Sequence, residues 1–139
     1  MQSIDDSVEL ELPDFFTTPR EYDLQFESRE KYLYAFAKGR LDITKNRVDC
    51  WQEILDRCRS EGYSGLLVYQ ESPLNPSLVE RFDAAAQIVA LGVHRIAIAY
   101  VDADPEAFEH NEFCALVARN RGANISMFHT VEEAHEWLS

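Results

Sequence analysis

Basic residues are scarce in this sequence. Its 139 residues include 13 Lys and Arg against 25 Asp and Glu, giving a formal net charge of -12 at pH 7. The few basic residues are also dispersed, whereas nucleic acids and anionic membranes are bound through clustered Lys and Arg. The composition therefore argues against binding to nucleic acids or to membrane surfaces, and it favours a protein partner with a basic patch.

Long apolar runs are missing as well. No uncharged segment approaches the roughly 20 residues of a membrane span. The acidic start of the chain also lacks the layout of a signal peptide. Cys50, Cys58 and Cys114 are the only cysteines and show no C-x-x-C spacing, which favours reduced thiols over disulfides. We therefore expect a cytoplasmic protein that does not insert into membranes.

The sequence motifs of common catalytic sites are absent. There is no GxSxG elbow, GxGxxG loop, Walker loop or HExxH pair. This removes any positive reason to propose an enzyme or a cofactor. We accordingly predict a non-enzymatic protein with no bound cofactor or metal.

The glycines, although few, fall in a regular pattern. Gly62, Gly92 and Gly122 are spaced by thirty residues, and each follows a helical pattern and precedes a strand-like run. Glycine favours the position just after a helix, where the backbone takes a left-handed conformation. A helix and a strand in every thirty residues is the length of a βα unit with a right-handed crossover. The pattern predicts strands at "GLLVY", "RIAIAYV" and "NISMF".

Apolar spacing predicts the helices and an N-terminal hairpin. "YDLQFES" and "YLYAFAKGRLD" alternate like two antiparallel strands, and the second leads into a helix near Thr44. Thr130 and Glu133 predict a capping box for the last helix, and another helix begins near Pro105. Four helical faces follow from the period: Val48, Trp51, Leu55 and Cys58; Leu78, Phe82, Ala85 and Val89; Phe113, Leu116 and Val117; Val131, Ala134 and Leu138.

These elements predict one α/β domain over residues 21–139. The order is β-β-α-β-α-β-α-β-α, a mixed, mostly parallel sheet of about five strands with four covering helices. Residues 1–20 are acidic and contain two prolines. They are either a flexible tail or an added edge segment.

The end of the chain resembles a known family. "HRIAIAYVDADPEAF" and "ALVARNRGANISMFHTVEEAHEWL" resemble the final strands and helices of bacterial SpoIIAA-like proteins, the STAS-domain superfamily. The similarity covers residues 21–138 in element order and 92–138 in sequence detail. It implies a SpoIIAA-like fold and a regulatory, non-enzymatic class that includes anti-sigma-factor antagonists, with CRAL-TRIO lipid-binding domains as distant relatives.

One feature of that family is missing. Phosphorylated antagonists carry a D-S-S-G-like motif at the start of the helix after the third strand, and this chain has "QESPLNPS" there. The resemblance therefore assigns no phosphoacceptor. From the residues themselves, Asn75 and Pro76 are typical of an N-cap and first helical residue, with Ser77 following. Ser72 and Ser77 are thus candidate phosphoacceptors near free helix amides, or ordinary loop and cap residues.

A second candidate site follows the fourth strand. Asp102 and Asp104 lie near the carboxyl end of that strand, the edge where open α/β sheets bind ligands. They could bind a metal or share a proton, or Asp104 could only start the next helix. His110 and Cys114 share one helix face, but no third zinc ligand stands at a characteristic spacing.

Three functions are compatible with these observations. The first is a cytoplasmic interaction module that binds a protein partner in regulation, with homodimerisation as a further option. The second is a carrier or sensor of a small apolar, lipid-like ligand, for which Trp51, Trp137 and the aromatic strand at 32–36 would line a pocket; core packing is the alternative role of these aromatics. The third is an enzyme that uses Asp102, Asp104 and His110.

Overall fold

The computed structural model describes residues 21–139, so both alternatives for residues 1–20 lie outside the described part of the chain. The five strands are β1 (Tyr22–Ser28), β2 (Leu33–Gly39), β3 (Gly65–Glu71), β4 (Ala97–Asp102) and β5 (Asn124–Phe128). The helices are α1 (Thr44–Ser60), α2 (Leu78–Ala90), α3 (Phe108–Asn120) and α4 (Val131–Leu138), with a 3-10 turn at Pro105–Ala107.

The strands form one sheet in the order β1-β2-β3-β4-β5. The hairpin β1–β2 is antiparallel, with Tyr22 opposite Gly39, and the other neighbouring pairs are parallel. This confirms the predicted fold class, including the strand and helix order. Among residues 21–139, no helix is long and apolar enough to cross a membrane.

The glycine pattern marks the helix ends as predicted. Gly62, Gly92 and Gly122 have φ angles of 76°, 90° and 96°, directly after the ends of α1, α2 and α3. An L side chain is disfavoured at such angles, whereas glycine adopts them at no steric cost. The thirty-residue spacing therefore reflects three successive helix–strand units.

Helices α1, α2 and α3 cover one face of the sheet. Its core contains strand residues such as Leu33, Leu66 and Ile98 together with Trp51 and Leu55 of α1, and each of these is at most 5% exposed. At about 25 cal/mol per Å² of buried apolar surface, this layer supplies most of the hydrophobic stabilisation. The predicted inner face of α1 is confirmed for Trp51, Leu55 and Cys58.

Helix α4 covers part of the opposite face. Ala134 is fully buried there against Tyr32, Leu67 and Val101, and Val131 and Leu138 pack against the same cluster. Thr130 caps α4 by accepting from the backbone N–H of Glu133. Glu133 accepts a 3.2 Å hydrogen bond from the N–H of His129 rather than from that of Thr130, so the predicted box closes one residue earlier.

The predicted inner faces of α2 and α3 are wrong in part. Leu78, Phe113 and Leu116 are 39%, 49% and 50% exposed. The residues that turn inward are small or polar: Arg81 and Ala84 in α2, and Asn111, Cys114, Ala115 and Ala118 in α3. Helices α2 and α3 pack against each other, and small side chains fit where they meet whereas large ones would overpack the core.

Candidate functional site

Arg81 lies in the interior, where it connects several elements. Its side chain leaves the first turn of α2, and the residue is only 3% exposed. Its two terminal amino groups donate to Asn111 Oδ1 at 2.7 Å and to Asn75 Oδ1 at 3.0 Å. Its Nε has no hydrogen-bond partner in the described structure. A buried guanidinium is thus only partly satisfied.

The carboxylates Asp102 and Asp104 complete this network. Asp102 Oδ2 lies 3.9 Å from Arg81 Nη1 and accepts a 3.2 Å hydrogen bond from Asn111 Nδ2. Asp104 accepts from Asn75 Nδ2 at 2.5 Å and caps the 3-10 turn through the N–H of Glu106. The hydrogen bond from Asn75 lowers the pKa of Asp104. The two aspartates therefore organise the polar network at the carboxyl end of β4, as the strand topology predicted.

A second arginine is buried nearby. Arg47, in the first turn of α1, is 7% exposed, and its Nε donates to the carbonyl of Leu41 at 2.8 Å. Its two Nη groups make no hydrogen bond to the residues that the structure describes. Burial lowers the pKa of Arg81, and the positive charge of Arg47 lowers it further. Two cations therefore share this interior, and among residues 21–139 Asp102 is the one carboxylate within 4 Å of either.

Both arginines line a cavity of about 70 Å³ between the sheet and helices α1, α2 and α3. We call this space the arginine cavity. Its other walls are mainly apolar, with Trp51 and Tyr100 among the larger side chains and alanines on α2 and α3. Burial raises the pKa of the Tyr100 hydroxyl and of the Cys114 thiol, so both are uncharged at neutral pH. Among residues 21–139, the charged groups in the cavity wall are the two guanidinium groups.

A more polar space of about 210 Å³ adjoins the arginine cavity. We call it the polar cleft. It lies at the carboxyl end of β4, and its lining includes Asp102, Asp104, Phe108 and His129. The rings of Phe108 and His129 stack with their centroids 3.8 Å apart. Tyr100, Asn111 and Met127 line both spaces, so the two are neighbours through these side chains.

The structure gives the two candidate serines different local roles. Ser77 itself is the N-cap of α2, and it forms a capping box in which its hydroxyl accepts from Glu80 N–H and Glu80 accepts from Ser77 N–H. The prediction that Asn75 caps the helix is wrong, because the amide of Asn75 is bound to Arg81 and Asp104. Ser72 donates to the carbonyl of Leu74 within the preceding loop.

The histidines and cysteines are not brought together. Cys114 is buried and His110 is exposed on α3, as expected of a core thiol and a surface histidine. His135 bonds Tyr32 through Nδ1 at 2.6 Å on the other face of the sheet. Within the described residues, no three His, Cys, Asp or Glu side chains are grouped to hold a metal ion.

The aromatic residues predicted to line one pocket lie on two different faces of the sheet. Trp51 lines the arginine cavity, but Tyr34 and Phe36 lie on the opposite face of the sheet, where Phe36 stacks on Tyr69 at 5.1 Å. Trp137 is 39% exposed and contacts Phe128. Alternate strand residues point to opposite faces, which separates this aromatic row from the cavity.

Sequence patterns did not predict Arg47, Arg81 and Asn111 as site residues. Their signal was present in the helical spacing, because each lies three or four residues from a residue on an inward face: Trp51, Ala85 and Cys114. A charged residue on such a face is almost never buried unless it is paired or serves a site.

An apolar surface lies outside the cavity, on α2, α3 and the loop before α2. Val79 is 71% exposed and Leu74 is 52% exposed. We define the α2–α3 surface as Leu74, Leu78, Val79, Phe113 and Leu116, which are five of the six large hydrophobic residues exposed within residues 21–139.

Comparison with solved structures places the fold. The crystal structure of an anti-sigma factor antagonist from Mycobacterium paratuberculosis superposes with a TM-score of 0.58 at 13% identity, over 88% of this chain and 97% of that one. An uncharacterised protein from Shewanella loihica with a SpoIIAA-like fold gives 0.52 at 14% identity, over 88% and 98%. No protein-family profile and no curated protein sequence matches the chain. The chain therefore has a SpoIIAA-like fold, as its C-terminal resemblance implied.

Proposed function

We propose that this protein is a regulatory interaction module that binds a protein partner through the α2–α3 surface. The observation that carries the proposal is the concentration of exposed large hydrophobic residues on two neighbouring helices and the loop before them. Contiguous apolar patches on small domains mark interaction sites. The antagonist with the same fold is named for its action on another protein, an anti-sigma factor.

The charge around the surface defines the partner further. Glu80, Asp83 and Glu109 are exposed on the same two helices, and the whole chain carries a formal net charge of -12. An apolar centre with an acidic rim fits a partner with an apolar patch surrounded by Lys or Arg. Such a complex should associate faster at low ionic strength, because salt screens the attraction.

The test combines Val79→Ser and Phe113→Ser in one variant. A matched control carries Gln25→Ser and Gln52→Ser, away from the surface. Proteins captured from the native host by the wild type and the control, but not by the variant, would be purified and reconstituted with the wild type. The proposal requires a binary complex whose amide chemical-shift changes map to α2 and α3. It is wrong if no captured protein depends on these two residues, or if the variant instead abolishes a concentration-dependent homodimer.

The cavity bears on the ligand-carrier alternative. At about 70 Å³ it is far below the 300–1,000 Å³ typical of sites for larger organic ligands. A lipid acyl chain would require α2 and α3 to move apart. The arginine cavity thus favours a small ligand over a lipid-like one.

The enzyme alternative loses its geometric basis. Asp102 accepts from Asn111, the Asp104 carboxylate accepts from Asn75 and from the N–H of Glu106, and His110 is exposed on α3. These groups serve the folded network, so we propose a non-enzymatic role. Cys58 and Cys114 are buried thiols outside any disulfide, which fits our proposal of a reducing, cytoplasmic location.

We also retain regulation at Ser77 as part of the proposal. A phosphate on this N-cap would lie beside the first amides of α2 and adjacent to Leu78 and Val79. It would add negative charge to the α2–α3 surface. Intact-mass and peptide analysis of protein isolated from the native host tests this directly, and Ser77 and Ser72 unmodified under all growth conditions would contradict it.

A further inference from the structure

Two buried guanidinium groups face the arginine cavity with hydrogen-bonding capacity left over. Arg47 uses only its Nε, and Arg81 leaves its Nε without a partner in the described chain. Arg47 and Arg81 are 7% and 3% exposed, so bulk water does not satisfy them as it would at the surface. Within residues 21–139, Arg81 Nε is the buried side-chain donor without a partner, and such donors are costly, charged ones more so.

The acidic groups near the two cations do not balance them. Asp102 approaches Arg81 at 3.9 Å and is itself bound by Asn111. Asp42 feels the charge of Arg47, but its two oxygens accept from Arg40 at 2.9 and 3.0 Å. Tyr100 and Cys114, which also line the cavity, are uncharged at neutral pH because burial raises their pKa values. Among residues 21–139, Asp102 is therefore the one carboxylate that opposes the two cations, which leaves one positive charge uncompensated.

We propose that the arginine cavity binds a short-chain monocarboxylate, with its carboxylate held between Arg47 and Arg81. Guanidinium groups match carboxylates geometrically and bind them through charge-assisted hydrogen bonds. The tail of the acid lies against the apolar walls, which include Trp51, Ile98 and the alanines of α2 and α3. This assignment goes beyond the proposed partner binding and does not depend on it.

The walls and the volume together define the ligand class. A phosphate or sulfate ion would accept hydrogen bonds from the arginines, but it would place a polar anion against the mainly apolar wall of the cavity. A neutral hydrocarbon would fill the space and leave the donors unpaired. The cavity of about 70 Å³ is about half of the roughly 150 Å³ that accommodates benzene. The best fit is therefore an acid of about two to four carbon atoms.

We place the entry to this cavity at the polar cleft, because the two spaces share lining side chains. Met127 lines both spaces and is half-buried, and methionine side chains change rotamer readily. Asn111 also lines both spaces and already holds Arg81. An acid entering from the edge of the sheet would thus pass Asn111 and Met127 before it meets the guanidinium groups.

The experiment is a titration of the full chain with acetate, propionate, butyrate and octanoate, followed by amide chemical shifts and calorimetry. Butyramide and inorganic phosphate are the two controls for charge and shape. We expect saturable binding that is strongest for propionate or butyrate, with shifts at the residues lining the cavity. Butyramide should bind at least about tenfold more weakly, because it lacks the charge that the arginines recognise.

Two variants test the site. Arg47→Met should weaken butyrate binding about ten- to hundredfold, whereas Arg57→Met, exposed on the same helix, should leave it unchanged. Ala85→Leu should abolish binding by filling the cavity, whereas Ala86→Leu, outside the wall, should not. If Arg47→Met fails to fold, the comparison of Ala85→Leu with Ala86→Leu still tests the site.

Four results would each overturn the proposal. They are no saturable binding of any acid, equal binding of butyramide or phosphate, affinity that rises through octanoate, and unchanged binding by Ala85→Leu.

Discussion

Arg81 donates a hydrogen bond of 2.7 Å to the side-chain oxygen of Asn111, and this contact joins the first turns of α2 and α3 inside the protein. The amide nitrogen of Asn111 donates in turn to Asp102 at the end of β4. Asn111 thus bridges the buried cation Arg81 and the half-buried anion Asp102 by one hydrogen bond to each. A residue in this position contributes to stability through its two partners more than through its own burial.

Asn111→Ala should lower the free energy of unfolding by about 2–4 kcal/mol, because it leaves Arg81 and Asp102 with unpaired buried groups. Urea denaturation followed by circular dichroism measures the change. Asn120→Ala, at the exposed end of the same helix, is the matched control and should change stability by less than about 0.5 kcal/mol. Equal effects of the two substitutions would show that the buried network adds nothing.

Ser77→Ala should cost about 1 kcal/mol, because it removes the hydroxyl that accepts from Glu80 N–H at the start of α2. Ser77→Asp should retain most of this stability, since aspartate is an equally good N-cap and its charge is favourable at a helix N-terminus. Ser72→Ala, which loses one exposed loop contact, is the control. Thermal unfolding of the three variants checks this order, and a Ser77→Asp protein as unstable as Ser77→Ala would contradict it.

Gly39→Ala should destabilise the protein more than Gly62→Ala. Both glycines have positive φ angles, 136° and 76°, but a Cβ at position 39 would lie 2.5 Å from the carbonyl oxygen of Glu21. A Cβ at position 62 meets no atom within 4 Å, so that substitution pays only the backbone cost of roughly 1 kcal/mol. Chemical denaturation measures the difference, which would vanish if β1 moved freely away from Gly39.

The stability of the wild type should fall at alkaline pH, and Tyr100→Phe should reduce that fall. Burial raises the pKa of Tyr100 in the folded protein, while the unfolded chain ionises at about pH 10. Above that pH the folded state binds more protons than the unfolded state, so the free energy of unfolding decreases with a limiting slope of about 1.4 kcal/mol per pH unit. Denaturation curves from pH 7 to the alkaline limit test this, and parallel profiles for the two proteins would refute it.

Local patterns predicted the strands and helix ends but not the inner faces of α2 and α3. Alternation in β1 and β2 and the position of Gly62 depend on neighbouring residues only, and the structure confirms both. The inward direction of Arg81 depends on Asn111, thirty positions away along the chain. Large apolar residues such as Phe113 suggested the opposite face, because hydrophobic spacing cannot show that α2 and α3 turn small and polar side chains inward.

The sequence predicted where the polar residues after β4 lie, but it did not predict that Arg47 and Arg81 line the neighbouring cavity. Strand order places Asp102 and Asp104 at the ligand-binding edge of an α/β sheet, where the structure has the polar cleft. The cationic wall of the neighbouring cavity comes from two helices that follow different strands. Only the folded chain brings Arg47 and Arg81 to one space.

The sequential strand order has a consequence for how the chain folds. Each strand after β1 pairs with the strand that precedes it in the chain. The segment between two paired strands is therefore no longer than one helix with its connecting loops. Loop-closure entropy rises with the length of chain enclosed, and proteins with short-range contacts cross their folding barrier faster. The β1–β2 hairpin can form first, and each later unit can add to its growing edge as the ribosome releases it. No strand needs to wait for a distant part of the chain.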